Sequence, residues 1–109
     1  MKVKLESFNN WQVIKVSGQI DSKTVGDLRD FIDSELKEDQ PVALELTEVP
    51  FMSSAGLRTL LTLQRKTVDM GVDLVLVGVS TEIADTMKVT GFYQFFKVVK
   101  ALENLNGAA

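Results

Sequence analysis

Ser53 and Ser54 are adjacent in the stretch EVPFMSSAGLRTLL, where an apolar run passes into a helical pattern. A serine hydroxyl at such a junction has three uses. It can accept a hydrogen bond from an unpaired N–H of the first helical turn, which stabilises the helix by about 1 kcal/mol. It can act as a nucleophile, or it can receive a phosphoryl group. The chain has no His and no Cys, so Ser-His-Asp triads, thiol nucleophiles and zinc sites built on either residue are excluded within it. A Ser-Lys pair is conceivable, but the nearest lysine down the predicted helix, Lys66, is about three turns away. Self-contained hydrolase chemistry is therefore not expected. A capping box is also absent, because Leu57 and not Glu or Gln stands three residues after Ser54.

Phosphorylation fits the setting better than nucleophilic catalysis. A serine between a parallel strand and the next helix lies at the C-terminal edge of the sheet, where open α/β folds usually place function. A helix start carries partial positive charge and free N–H groups, so it tolerates a phosphate. A phosphoryl group adds about −1.5 to −2 charges, a large local change on a chain of formal net charge −3. Ala55 and Gly56 are expected to keep the surface beside the hydroxyl open.

The elements that must position these serines follow from periodicity. Residues 2–7 alternate, residues 11–17 are rich in β-formers, and Asn9-Asn10 between them tolerates positive φ, so a hairpin is expected. From Ser22, a plausible N-cap, to Lys37 the apolar residues Val25, Leu28, Phe31, Ile32 and Leu36 fall at helical spacing. Residues 41–46, PVALEL, read as a strand covered on both faces. After Pro50 a second helix carries Leu57, Leu60, Leu61 and Val68 and closes at Gly71. Residues 73–79 form another apolar strand. Ser80 or Thr81 caps a third helix with Ile83, Ala84, Met87 and Val89, ending at Gly91. A short strand over 95–99 and a terminal helix near 101–105 complete the order β-β-α-β-α-β-α-β-α. This is an α/β chain with a mixed, mostly parallel sheet, a leading hairpin, right-handed crossovers and helices packed mainly on one face.

The chain is 109 residues, 45% hydrophobic and 25% charged, which suits one compact domain over residues 1–109. A pI near 4.9 and scattered basic residues argue against nucleic acid as a partner. No apolar run reaches the roughly 18 residues needed to span a bilayer, and the start, MKVKLESF, alternates where a signal peptide would be continuously apolar. A cytoplasmic protein that is a monomer or weak dimer, with no membrane contact and no cofactor, is expected. The final NGAA reads as a frayed tail.

Taken in register, GQID after the second strand, FMSSAGLRTLL after the third, the strand LVLVGVS and the segment VTGFYQFFKV resemble the STAS domain over nearly the whole chain. More narrowly they resemble the free-standing bacterial anti-sigma factor antagonists. The family pattern Asp-Ser-(Ser/Ala)-Gly-Leu reads here Ser53-Ser54-Ala55-Gly56-Leu57, and the common Asp-Leu ending the third strand reads Glu45-Leu46. The resemblance implies a non-enzymatic partner switch. An unmodified antagonist binds an anti-sigma factor that is also a serine kinase with a GHKL-type ATP site. Phosphorylation of the serine two before the glycine, Ser54, ends the binding, and a PP2C-type phosphatase restores it. Ser53 replaces the family's acid and is left as a competing site. Asp21 matches the family's acidic residue in the loop beside the serine, so Asp21, Ser53, Ser54, Gly56 and Arg58 are the partner-binding set; a solvated carboxylate and a plain surface arginine are the simpler readings of Asp21 and Arg58. A scaffold or accessory subunit of a signalling complex or lipid transporter, never phosphorylated, is the alternative function. Trp11 is expected to pack, and consecutive Phe95-Phe96, if on a strand, must point to opposite faces.

Overall fold

A computed structural model describes residues 1–105; the predicted frayed tail lies outside the described residues. Its elements are β1 (Lys2–Phe8), β2 (Trp11–Ser17), α1 (Val25–Glu35), β3 (Val42–Glu48), α2 (Ser54–Met70), β4 (Leu74–Val77), α3 (Thr81–Val89) and β5 (Lys97–Val99), with 3-10 turns at Tyr93–Phe95 and Leu102–Asn104. The five strands lie in chain order, β1-β2-β3-β4-β5. Only β1 is antiparallel; it pairs with β2 through a hairpin whose Asn9 and Asn10 both take the positive φ expected of them.

Both sheet faces are covered, which is why the inner strands are continuously apolar. On one face Ile14, Val16, Leu44, Leu46, Leu74 and Leu76 pack against all three helices. α1 contributes Val25, Leu28 and Ile32, α2 Leu57, Leu60 and Leu63, and α3 Ile83 and Met87. On the other face Trp11, Val13, Ala43, Val75 and Val77 form a thinner layer closed by Leu102 and Leu105. The small side chain of Ala43 suits that thin layer.

Several expectations need correction. The terminal helix is a single 3-10 turn, because only Leu102 and Leu105 have an apolar surface to meet. α1 starts at Val25 with Thr24 at its N-cap, not at Ser22. Asp21 already occupies the donors that a Ser22 cap would serve: its Oδ1 accepts from Thr24 N–H at 3.1 Å and its carbonyl from Val25 N–H at 2.8 Å. Val68 is 66% exposed, because buried Thr67 takes the inward position of that turn. The Thr67 hydroxyl donates to the Gln64 carbonyl, so the buried oxygen is satisfied. Val89 is exposed at the end of α3. β4 stops at Val77 because Gly78 turns to φ 72° where its backbone meets the Thr47 side chain. Phe95 and Phe96 precede β5; Phe96 is buried and Phe95 exposed.

Candidate functional site

Two loops leave the C-terminal ends of neighbouring parallel strands, residues 18–24 after β2 and 49–53 after β3. Past the sheet edge they remain zipped together. Gly18 N–H donates to the Glu48 carbonyl at 3.0 Å, Ile20 N–H to the Phe51 carbonyl at 3.0 Å and Ser53 N–H to the Ile20 carbonyl at 2.8 Å. Ile20 and Met52, both buried, form an isolated parallel bridge between the loops. This arrangement brings Asp21 next to the serine pair, although 31 residues separate Asp21 and Met52 in sequence.

The two serines have different environments. Ser53 is the N-cap of α2, at φ −79° and ψ 174°, and its Oγ accepts from Gly56 N–H at 3.4 Å. Its carbonyl accepts from Leu57 N–H at 3.0 Å. Ser54 is the first helical residue, is exposed, and its hydroxyl has no hydrogen bond among the described residues. No base contacts the Ser54 hydroxyl among the described residues. It can serve as an acceptor of a group brought by another protein. No cluster of metal-ligating residues occurs among the described residues.

Gly56 is buried and does not open the surface as the sequence suggests. A Cβ there would lie 2.5 Å from Met52 Cγ and 2.9 Å from Ile20 Cγ2. Glycine is needed because α2 begins directly against the bridge that joins the two loops. Any contribution of Gly56 to a partner surface therefore acts through the placement of Ser53 and Ser54. Arg58 is exposed on the first turns of α2, as expected.

Asp21 is half-buried and well held. Its Oδ1 accepts from the N–H groups of Lys23 and Thr24 at 2.9 and 3.1 Å, and its Oδ2 from Gln19 Nε2 at 2.9 Å. The Thr24 hydroxyl completes the loop by accepting from Asp21 N–H and donating to the Gln19 carbonyl, each at 3.0 Å. The Lys23 N–H is the main cause of an Asp21 pKa below the usual carboxylate value of 3.8; partial burial opposes it, and the Thr24 N–H and the Gln19 amide reinforce it. A folded pKa below the unfolded one means that ionised Asp21 stabilises the fold above the unfolded value and stops doing so as pH falls through the depressed one. Asp21→Asn is accordingly expected to lower stability by a constant amount at neutral pH. The gap from wild type should close on acidification below about pH 4, measured by urea unfolding at stepped pH. A gap unchanged at low pH would show that the carboxylate charge is irrelevant to the loop.

Sequence did not reveal the roles of Gln19 and Thr24, nor that of Phe51. Phe51 is 52% exposed and, with Pro50, Ile83, Thr86 and Glu82, walls a groove beside Ser53 and Ser54. An aromatic residue directly after Pro50 was the available signal.

Comparison with known proteins agrees with this architecture. BtrV of Bordetella bronchiseptica, named provisionally as an anti-sigma factor antagonist, is 23% identical over 104 residues, 94% of this chain and 90% of that protein. An anti-sigma factor antagonist from Mycobacterium paratuberculosis superposes with TM-score 0.84 at 23% identity, over 94% of this chain and 88% of the other. The unphosphorylated form of the anti-sigma factor antagonist SpoIIAA superposes with TM-score 0.74 at 18% identity, covering 94% and 91%. Its phosphorylated form, from Bacillus, gives TM-score 0.69 at 18% identity, covering 94% and 95%. The STAS domain family matches residues 2–105, and the chain belongs to that family.

Proposed function

We propose that the chain is an anti-sigma factor antagonist, working as a phosphorylation-controlled partner switch at Ser54 and not as an enzyme. One observation carries the reading. Ser54 presents a free, exposed hydroxyl at the start of α2, on a base made rigid by the Ile20–Met52 bridge and the Ser53 cap. The names of the relatives, and the existence of a structurally similar SpoIIAA in phosphorylated form, support it.

The unmodified chain binds an anti-sigma factor that is a GHKL-type serine kinase. In the complex, Ser54 Oγ attacks the γ-phosphorus of ATP bound to that kinase. The new O–P bond forms as the bond to the β,γ-bridging oxygen breaks, ADP leaves, and the hydroxyl proton passes to a base of the kinase. Added charge and bulk at the interface then repel the partner. Hydrolysis by a PP2C-type phosphatase restores the free hydroxyl and the binding.

The test is incubation with a GHKL-type serine kinase from the same organism and ATP, followed by mapping of the phosphate by mass spectrometry. Ser54→Ala is expected to lose labelling. Ser53→Ala is expected to keep it while losing about 1 kcal/mol of stability with the N-cap. Equal labelling of Ser54→Ala and wild type would place the site elsewhere, with Ser53 first in line.

A further inference from the structure

α1 and α2 enclose a shallow groove lined by Arg29, Ala55, Arg58, Thr59 and Thr62. Two of the chain's three arginines meet there, from different helices, on a chain of net charge −3. Neither makes an ion pair among the described residues, and no carboxylate lines the groove. Ser54 itself lines the neighbouring groove toward α3, which has the opposite character. That groove contains Glu82, and Asp21 adjoins Ser53 through Ile20.

Arg58 stands four residues after Ser54 in α2, so both lie on one helix face, with Cβ atoms about 5–6 Å apart. Helical side chains lean toward the helix N-terminus and cover the turn before their own Cα. The Arg58 side chain is therefore directed over the turn that Ser54 begins, consistent with Ala55 sharing its groove.

We propose that Arg58, with Arg29 across the groove, binds the phosphoryl group carried by phosphorylated Ser54. The inference rests on Ser54 as the modified residue and deepens that reading. A guanidinium fork matches phosphate oxygens two at a time. The order is also the favourable one, with the anion N-terminal to the cation at i, i+4. Glu82 and Asp21 repel the phosphate from their sides and leave the arginine groove as its attractive side. Phosphorylation then does more than add negative charge: it also withdraws two free guanidinium groups from the surface that the partner meets.

Phosphoserine installed at position 54 by genetic code expansion tests this without any kinase, so failure of the clamp and failure of the kinase step are read separately. The observable is the second ionisation of the phosphate, followed by phosphorus NMR; it ordinarily lies near pH 6. The wild-type phosphoprotein is expected to titrate about half a pH unit below its Arg58→Gln variant. Arg29→Gln should recover a smaller part of that shift, and Arg65→Gln, farther along α2, should behave as wild type. Identical titration of wild type and Arg58→Gln overturns the clamp, as does a shift in Arg65→Gln as large as in Arg58→Gln. No change in Arg29→Gln removes Arg29 from it.

Discussion

Gly56→Val is expected to destabilise the protein by about 3 kcal/mol, near the upper end of overpacking costs, and to disorganise the serine site from the interior side. The first atom added already lies 2.5 Å from Met52 Cγ and 2.9 Å from Ile20 Cγ2, and 3.4 Å from the Ile20 carbonyl oxygen. The Met52 side chain has few directions in which to yield, because it is buried in the main core. The branched valine adds two more carbons to the same space. Gly56→Ala separates the effects: it gains about 1 kcal/mol of helix propensity and keeps the Cβ clash, for a net loss of about 1–2 kcal/mol. Thermal unfolding followed by circular dichroism should show a fall of roughly 10–15 °C for valine and less for alanine. Wild-type melting of Gly56→Val would mean that α2 can move off the loop bridge without cost. Labelling of Ser54 well below the melting range should also drop, because the residues displaced are those that hold Ser53 against Ile20.

Gln12→Leu is expected to cost about 2–3 kcal/mol through a different mechanism. Gln12 is 2% exposed, on the helix side of β2, in a chain whose other fully enclosed large side chains are almost all apolar. Its Nε2 donates to the carbonyls of Lys37 and Gln40 at 2.6 and 3.0 Å, and its Oε1 accepts from Lys37 N–H at 2.8 Å. One amide thus pins the connection between α1 and β3. Leucine matches the volume but leaves three partly buried backbone groups without that partner. Urea titration should show a lower midpoint with an unchanged slope, the signature of lost stability in an otherwise intact fold. Amide exchange should accelerate at Lys37. A midpoint equal to wild type would show that water replaces the side chain at no cost.

Gln12 also shows where sequence reading stops. Its neighbours Val13, Ile14 and Val16 declare a strand by type alone, whereas a buried amide in that strand looks like any exposed polar residue until its partners, 25 and 28 residues away, are known. The chain order of the elements, the helix faces and a serine cap at the start of α2 were legible because periodicity and capping are local. The junction of Asp21 with the serines was legible only through family resemblance, since the backbone bonds between the two loops leave no trace in side-chain type. Gly56 illustrates the same limit: a glycine beside an exposed serine reads as open surface, and only the packing of α2 on Ile20 and Met52 shows that it is interior. Val68 and Val89 misled because a 3.6-residue stripe has soft edges, and at helix ends the last apolar residue often turns outward. The arginine groove could not be found from spacing either, because Arg29 and Arg58 belong to different helices.

Trp11 has a spectroscopic consequence. It is the chain's only tryptophan and is 3% exposed, packed in the thinner layer with Leu105 at the start of β2. Ser54 lies beyond the opposite end of the parallel strands, on the helix side of the sheet. Indole emission is therefore an intrinsic reporter of whether the C-terminal turn is seated and of global unfolding, while helix ellipticity is dominated by the other face. Coincident transitions in the two signals would establish that both faces melt as one cooperative unit. By the same geometry, partner titrations should leave the emission almost unchanged, so a dye attached near the serines, in a chain that offers no native thiol to compete for it, is the suitable probe of binding.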